Sequence, residues 1–212
     1  MDKYLIDLID RMNDTSDQKM EPGYQGSKTI SWKAFREAER LDNTDFTSQL
    51  IEFIEKEKDK KRRDKAYFIL GHIGKNTNDN SAVQFLIQRI DKETDKYIVG
   101  SLLDRIAALH KPPGTDLKPI INATKDKKWL IRHGAIRAFK SSNDEIAEQT
   151  LIDVLDKSED QYDLTYSNSI LNTIGTPKAI PHIEKHLSSR KRDVKLSAKF
   201  AIEEIKKRNG SE

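Results

Sequence analysis

One helix face recurs every 31–36 residues, and no other feature constrains this chain as much. In residues 160–188, Ser167, Ile170, Leu171 and Ile174 fall at i, i+3, i+4 and i+7, the spacing of an amphipathic helix. Gly175 predicts the stop, and Pro177 fits the first turn of a second helix carrying Ile180, Ile183 and Leu187 on one side. With Ser167 as anchor, equivalent positions are Ala34, Ala66, Leu102, Ala135 and Ala198, successive anchors lying 32, 36, 33, 32 and 31 residues apart. Four residues past each anchor stand Ala38, Leu70, Ile106, Phe139, Leu171 and Ile202, all apolar. Seven past stand Leu41, Ile73, Leu109, Ser142, Ile174 and Ile205. The second helices centre on Leu50, Leu86, Ile120, Leu151 and Ile183, with Ile54, Ile90, Thr124, Leu155 and Leu187 four residues later. A period this regular predicts an all-α solenoid, a right-handed superhelix in which each helix pair buries its apolar face by stacking on its neighbours.

Two segments carry a family likeness. Residues 175–187 read GTPKAIPHIEKHL, and residues 129–139 read WLIRHGAIRAF. The second is similar to the Val-Arg-x-x-Ala-x-x-Ala-Leu helix of the HEAT-repeat family, especially the short bacterial type related to phycobilisome-lyase repeats. Arg63, Arg132 and Lys195 stand at that helix's basic position, three before the anchor, whereas Val99 and Leu164 depart from it. The resemblance covers about residues 30–208 and implies HEAT-like helix pairs. It implies little about function, because such repeats serve many partners. The chain is expected to be one HEAT-like repeat domain over 1–212: an N-terminal helix and loop (1–30), a degenerate first repeat (31–58), repeats (59–208) and a tail (209–212).

Residues 2–12 predict an amphipathic capping helix through Leu5, Leu8, Ile9 and Met12. The polar stretch 13–28 predicts a loop, with Tyr24 as a possible anchor. Ser31 is the expected N-cap of a helix over 32–41, Asp45–Lys58 the next helix, and 191–208 the last. Hydrophobic residues make up 35% and charged residues 34%, which suits a thin stack with much surface per residue. A net charge of +3 does not by itself imply nucleic acid, and with no cysteine there is no thiolate or disulfide chemistry. The N-terminal segment lacks a signal peptide's apolar core, and no run is long and apolar enough for a membrane span. These features predict a soluble, cytoplasmic protein.

Helix geometry points positions two either side of each second-helix centre away from the core. That row, Ser48 and Glu52, Gln84 and Gln88, Lys118 and Asn122, Gln149 and Asp153, Pro181 and Lys185, is the expected concave surface. Amides with two lysines and two acids suit a protein or peptide better than a phosphate backbone. Two longer turns, 74–81 and 110–115, are expected to form a raised binding edge with Lys75, Asn76, Asn78 and Lys111 as polar candidates. On the last helix Leu196 and Phe200 lie opposite the core face of Val194, Ala198, Ala201, Ile202 and Ile205, marking a contact spot for a partner or a weak dimer.

Basic stretches at 118–140 and 178–208 and an acidic one at 144–163 would either be solvated helix surface or, for the basic ones, track phosphates. His182 and His186 share a helix face at i, i+4, but no third ligand stands near them, so no metal site is assigned. Asp126 lies one turn before Trp129; a HEAT-like glycosylase of alkylated bases needs a carboxylate beside aromatics, but the rest of such a pattern is missing, and an N-cap role for Asp126 is the plainer reading. The sequence therefore predicts non-enzymatic recognition of a macromolecule, as a protein-binding scaffold, adaptor or immunity-type binder, a monomer or weak dimer with no cofactor and no catalytic residue. The alternative is a nucleic-acid-binding HEAT-like protein, with or without alkylpurine glycosylase activity.

Overall fold

The structure, a computed structural model, describes residues 1–18, 25–142 and 144–210. The described residues form α-helices and two short 3₁₀ turns, Gly26–Lys28 and Pro177–Ala179, and the one strand-like pairing among them is an isolated bridge between Lys111 and Ser142. The packing falls into two compact units, Met1–Leu86 and Ile87–Glu212.

The first unit holds α1 (Lys3–Asn13), α2 (Ile30–Ala38), α3 (Asp45–Lys56), α4 (Lys60–Thr77) and most of α5 (Asn80–Arg89), which contains the boundary. α1 packs on α2 and α4, and its Leu5, Leu8, Ile9 and Met12 are all buried, as the sequence pattern required. Arg11 ties α1 to α2 through a bidentate pair, Nη1 and Nη2 donating to Glu37 at 2.8 and 3.0 Å. The cap of α2 is Thr29, whose hydroxyl accepts from Trp32 N at 3.1 Å; Ser31, expected there, is instead inside the helix and buried. The Tyr24 anchor lies outside the described residues.

The second unit holds α6 (Lys96–Ala107), α7 (Lys118–Ala123), α8 (Trp129–Ala138), α9 (Glu145–Lys157), α10 (Gln161–Ile174), α11 (Ile180–Glu184) and α12 (Arg192–Arg208). First helices stack on first helices, α6 on α8, α8 on α10 and α10 on α12, while α7, α9 and α11 each pack on a following first helix. Gly100 and Gly134 let α6 and α8 approach closely. A Cβ on Gly100 would sit 3.2 Å from Leu130 Cγ, and one on Gly134 would sit 3.1 Å from Leu103 Cβ.

The repeat frame is realised side chain by side chain. All six anchors, Ala34, Ala66, Leu102, Ala135, Ser167 and Ala198, are 0% exposed, as are the five second-helix centres. Leu187 departs from the pattern: α11 ends at Glu184, and Leu187 is left exposed in the turn beyond. Arg63 and Arg132, at the repeat's basic position, reach back to the carbonyl six residues before, Glu57 O at 3.0 Å and Asp126 O at 3.1 Å. This contact closes the turn that leads into each first helix.

The two long turns differ from expectation. α4 continues to Thr77, so 74–77 is helix; Asn78 ends it in the left-handed conformation at φ 54°, and Asn76 Nδ2 bonds Glu39 O and Leu41 O at 3.0 and 2.9 Å. Lys111 is not on a raised edge. It is 1% exposed, and its Nζ donates to Ile106 O and Leu109 O at 2.8 and 2.7 Å, satisfying carbonyls at the end of α6. Its backbone N–H donates to Ser141 O at 3.1 Å, which docks the turn.

Candidate functional site

The structure gathers the second unit's chemistry between the N-terminal halves of α8 and α10. Along α8, Trp129, His133 and Arg137 recur every four residues and share a face. Tyr162 and Tyr166 do the same on α10. Stacking of the two helices sets His133 among three rings, with centroids 5.6 Å from Trp129, 5.7 Å from Tyr162 and 5.4 Å from Tyr166. Arg137 lies over the Tyr166 ring at 5.4 Å and pairs with Asp104. Trp129, His133, Asp160, Tyr162 and Tyr166 line a cleft of about 460 Å³. Trp129 is 62% and Tyr162 50% exposed, so the rim is wet while its floor, His133, is buried.

Behind the rings lies a polar core. Asp160 caps α10, its Oδ1 accepting from Tyr162 N at 2.8 Å and Asp163 N at 3.4 Å. Arg132 Nη2 donates to Asp160 Oδ2 at 2.9 Å, and its Nε spans Asp163 Oδ2 and Oδ1 at 2.8 and 3.0 Å. Ser158 Oγ donates to Asp163 Oδ2 at 2.7 Å. On the other side, His133 Nε2 stands 3.2 Å from Asp163 Oδ1 and 3.6 Å from Asp160 Oδ1 without making a hydrogen bond. Burial lowers the His133 pKa below its ordinary value, outweighing the two carboxylates. Burial pushes Asp160 up, but the N–H groups of Tyr162 and Asp163 and the nearby charges outweigh it and hold the carboxyl below the usual range.

A second cleft of about 650 Å³ opens on the far side of Asp160, lined among others by Lys125, Asp126, Lys127, Arg132, Asp153 and Lys157. Asp126 lines this cleft and Trp129 the aromatic one, so the pair singled out in the sequence is divided between the two. Asp126 is not the cap expected: α8 begins at Trp129 with Lys128 at its N-cap and no side-chain cap, and Asp126 Oδ1 accepts from Lys128 N at 2.7 Å in the turn before the helix.

The outward-facing row of second helices points to solvent. Gln88, Lys118, Asn122, Gln149 and Asp153 are exposed, and Gln84 is half-buried. Gln149 and Lys157 both donate to Asp153, at 3.1 and 2.8 Å. The row carries no large apolar side chain. Of the turn candidates, Lys75 and Asn78 are exposed and Lys111 is not. Leu196 and Phe200 are 37% and 55% exposed, opposite a fully buried core face, as the helical spacing required. The His182–His186 pair is not the place where ligands converge. His182 Nδ1 pairs with Asp156 Oδ2 at 2.8 Å, whereas His133, Asp160 and Asp163 bring one ligand atom each within 4.8 Å of one another.

Some residues of the basic and acidic stretches pair across repeats. Arg132 meets Asp160 and Asp163, Lys178 meets Glu145 at 3.1 Å, and Lys185 meets Asp156 at 2.8 Å. These three cations are thereby drawn into pairs with acids of a neighbouring repeat.

No family model matches the sequence, and no curated protein matches it. Among solved structures, a designed armadillo repeat protein is similar, with a TM-score of 0.53 and 15% identity over 95% of this chain and 99% of that one. The chain is an all-α repeat solenoid. Among the described residues no helix is long and apolar enough to cross a membrane. The grouping of Trp129, which the sequence had set beside Asp126, with His133, Tyr162 and Tyr166 escaped sequence reasoning because these residues fall just outside the core positions. Trp129 and Tyr162 stand six and five residues before their anchors, and Tyr97 on α6, 66% exposed, stands five before its own. A search for aromatic residues five to six positions before each anchor would have found Trp129 and Tyr162.

Proposed function

We propose that this chain is a HEAT-type recognition module that binds another protein, with the aromatic side chains of its first helices as the contact centre. One observation carries the reading: Trp129, the larger of the rim aromatics, is 62% exposed yet packed against His133, which holds it in place. A large, rigid, exposed aromatic is the residue type that dominates binding energy at protein interfaces. Tyr162 lines the same cleft, with Arg137 near Tyr166, and Trp, Tyr and Arg are the three residue types most enriched at such centres. The paired charges around the cleft supply a mixed polar rim, which suits a protein surface better than a phosphate backbone. The shared arginine-to-carbonyl contact of Arg63 and Arg132 supports the HEAT reading of the repeats.

The test is quantitative affinity capture with three baits: the wild-type chain, Trp129→Ala/Tyr162→Ala, and Lys118→Ala/Gln149→Ala. A protein held by the wild type should be lost from the aromatic variant, at least about 30-fold weaker for removal of a hot spot. It should be retained by the second variant and after nuclease treatment. Loss on nuclease treatment alone, or loss only from the Lys118/Gln149 variant, refutes the proposal.

A further inference from the structure

We propose that His133, Asp160 and Asp163 form a zinc(II) site at the floor of the aromatic cleft. The donor atoms are arranged for one. Oδ1 of each carboxylate faces His133 Nε2, at 3.6 Å for Asp160 and 3.2 Å for Asp163. Zinc holds nitrogen and oxygen ligands at about 2.0–2.1 Å, and a tetrahedral arrangement at that radius separates neighbouring ligands by ~3.3–3.4 Å. The two measured separations bracket that value.

His133 gives the independent sign. Its side chain is 8% exposed, and Nε2 makes no hydrogen bond although two carboxylates stand beside it. A buried nitrogen 3.2 and 3.6 Å from two carboxylate oxygens, with well-formed hydrogen-bond geometry to neither, is not satisfied as buried polar atoms ordinarily are. A metal ion between the three atoms would supply it.

The surroundings match what a metal site needs around its ligands. Arg132 braces the carboxylates, chiefly at their Oδ2 atoms, and Ser158 Oγ holds Asp163 Oδ2 at 2.7 Å. Two carboxylates against one guanidinium leave one net negative charge, so Arg132 alone does not balance the cluster. The Asp160 side chain is 33% exposed and lines both clefts, which gives the ion a path in and a solvent molecule the fourth position. One imidazole with two carboxylates selects zinc over magnesium or calcium, which prefer shells of oxygen.

The experiment titrates the metal-depleted full chain with zinc chloride against a chromophoric chelator, and repeats the titration with cobalt(II), whose visible spectrum reports coordination number. One equivalent of zinc that competes with the chelator, and an intense four-coordinate cobalt spectrum, are expected. His133→Phe keeps a ring among Trp129, Tyr162 and Tyr166, and Asp160→Asn keeps the capping oxygen of α10. Each should weaken zinc binding by roughly 10-fold or more, the scale on which metal sites respond even to changes around their ligands. His182→Gln should leave binding unchanged. The proposal is overturned if the wild type does not compete, if the cobalt spectrum is the pale one of a six-coordinate ion, or if both cleft variants bind zinc as the wild type does. Melting curves of the metal-free variants establish that they fold; should one not fold, the other together with the wild-type cobalt spectrum decides.

Discussion

Lys111 turns a packing detail into a pH-dependent stability. Its ammonium sits in the turn after α6, 1% exposed, on two backbone carbonyls. Burial lowers its pKa from 10.5 to about 7. Between those values the unfolded chain carries a proton that the folded chain has released, so stability must rise with pH through that window. With a folded pKa of about 7, the gain from pH 7 to pH 9 comes to about 2 kcal/mol at 1.36 kcal/mol per unit, because Lys111 is already half deprotonated at pH 7. The carbonyls at the end of α6 favour the ammonium and pull the other way, which sets the expected range at roughly 1–2 kcal/mol. Lys111→Met keeps the aliphatic stem and removes the titration. It also leaves Leu109 O without the Lys111 donor, at roughly 1–3 kcal/mol, while Ile106 O keeps the Leu109 N–H at 3.1 Å. Urea denaturation of both proteins at pH 7 and pH 9 reads the difference. The gap between wild type and variant should widen by about 1–2 kcal/mol at the higher pH. Parallel pH slopes for the two proteins refute the reasoning, since they would place the Lys111 pKa near its ordinary value in the folded state.

Ala135→Asp puts a carboxylate at a 0% exposed anchor of α8 and should destabilise by more than about 3 kcal/mol in chemical denaturation; a parent-like midpoint would mean the helix register is wrong. Gly175→Ala should lower the melting temperature although Gly175 has an ordinary φ of −68°, because the added Cβ would meet Leu171 O at 2.5 Å and Ile205 Cδ1 at 3.0 Å; an unchanged melt would show that the end of α10 yields freely. Leu196→Glu with Phe200→Glu should leave the circular dichroism melt within about 1 kcal/mol of the parent, since both side chains stand out of the core, and should abolish any self-association seen by sedimentation. Unfolding of that double variant would return both residues to the core.

Much of the fold was legible because one rule repeats. A helix pair that cannot bury its apolar face alone must present that face at a fixed spacing, so six anchors and five second-helix centres could be read as core and all of them are. The misreadings share a cause: local signals that tertiary contacts outweigh. Gly74 opens the stretch read as a long turn, yet it is buried inside α4, where the loss of backbone freedom of a helical glycine, roughly 1 kcal/mol, is offset by packing. Lys111 looked like an exposed turn residue, yet the end of α6 offers it two carbonyls. Ser31 looked like a cap, but Thr29, two residues earlier, holds that place.

The candidate site divides along the same line. The sequence by itself determined which residues face the core and that Leu196 and Phe200 point away from the packed face, because these follow from 3.6 residues per turn and from the burial of apolar surface. Only the tertiary structure decided that Trp129 and His133 of one repeat meet Tyr162, Tyr166, Asp160 and Asp163 of the next. Those partners are about 30 residues apart in the chain, and they are joined by the distance and rotation with which α8 packs on α10. That rotation is set by side-chain volumes at the interface, just as the missing Cβ atoms of Gly100 and Gly134 allow the close approach of α6 and α8, and not by the periodicity that reveals the helices.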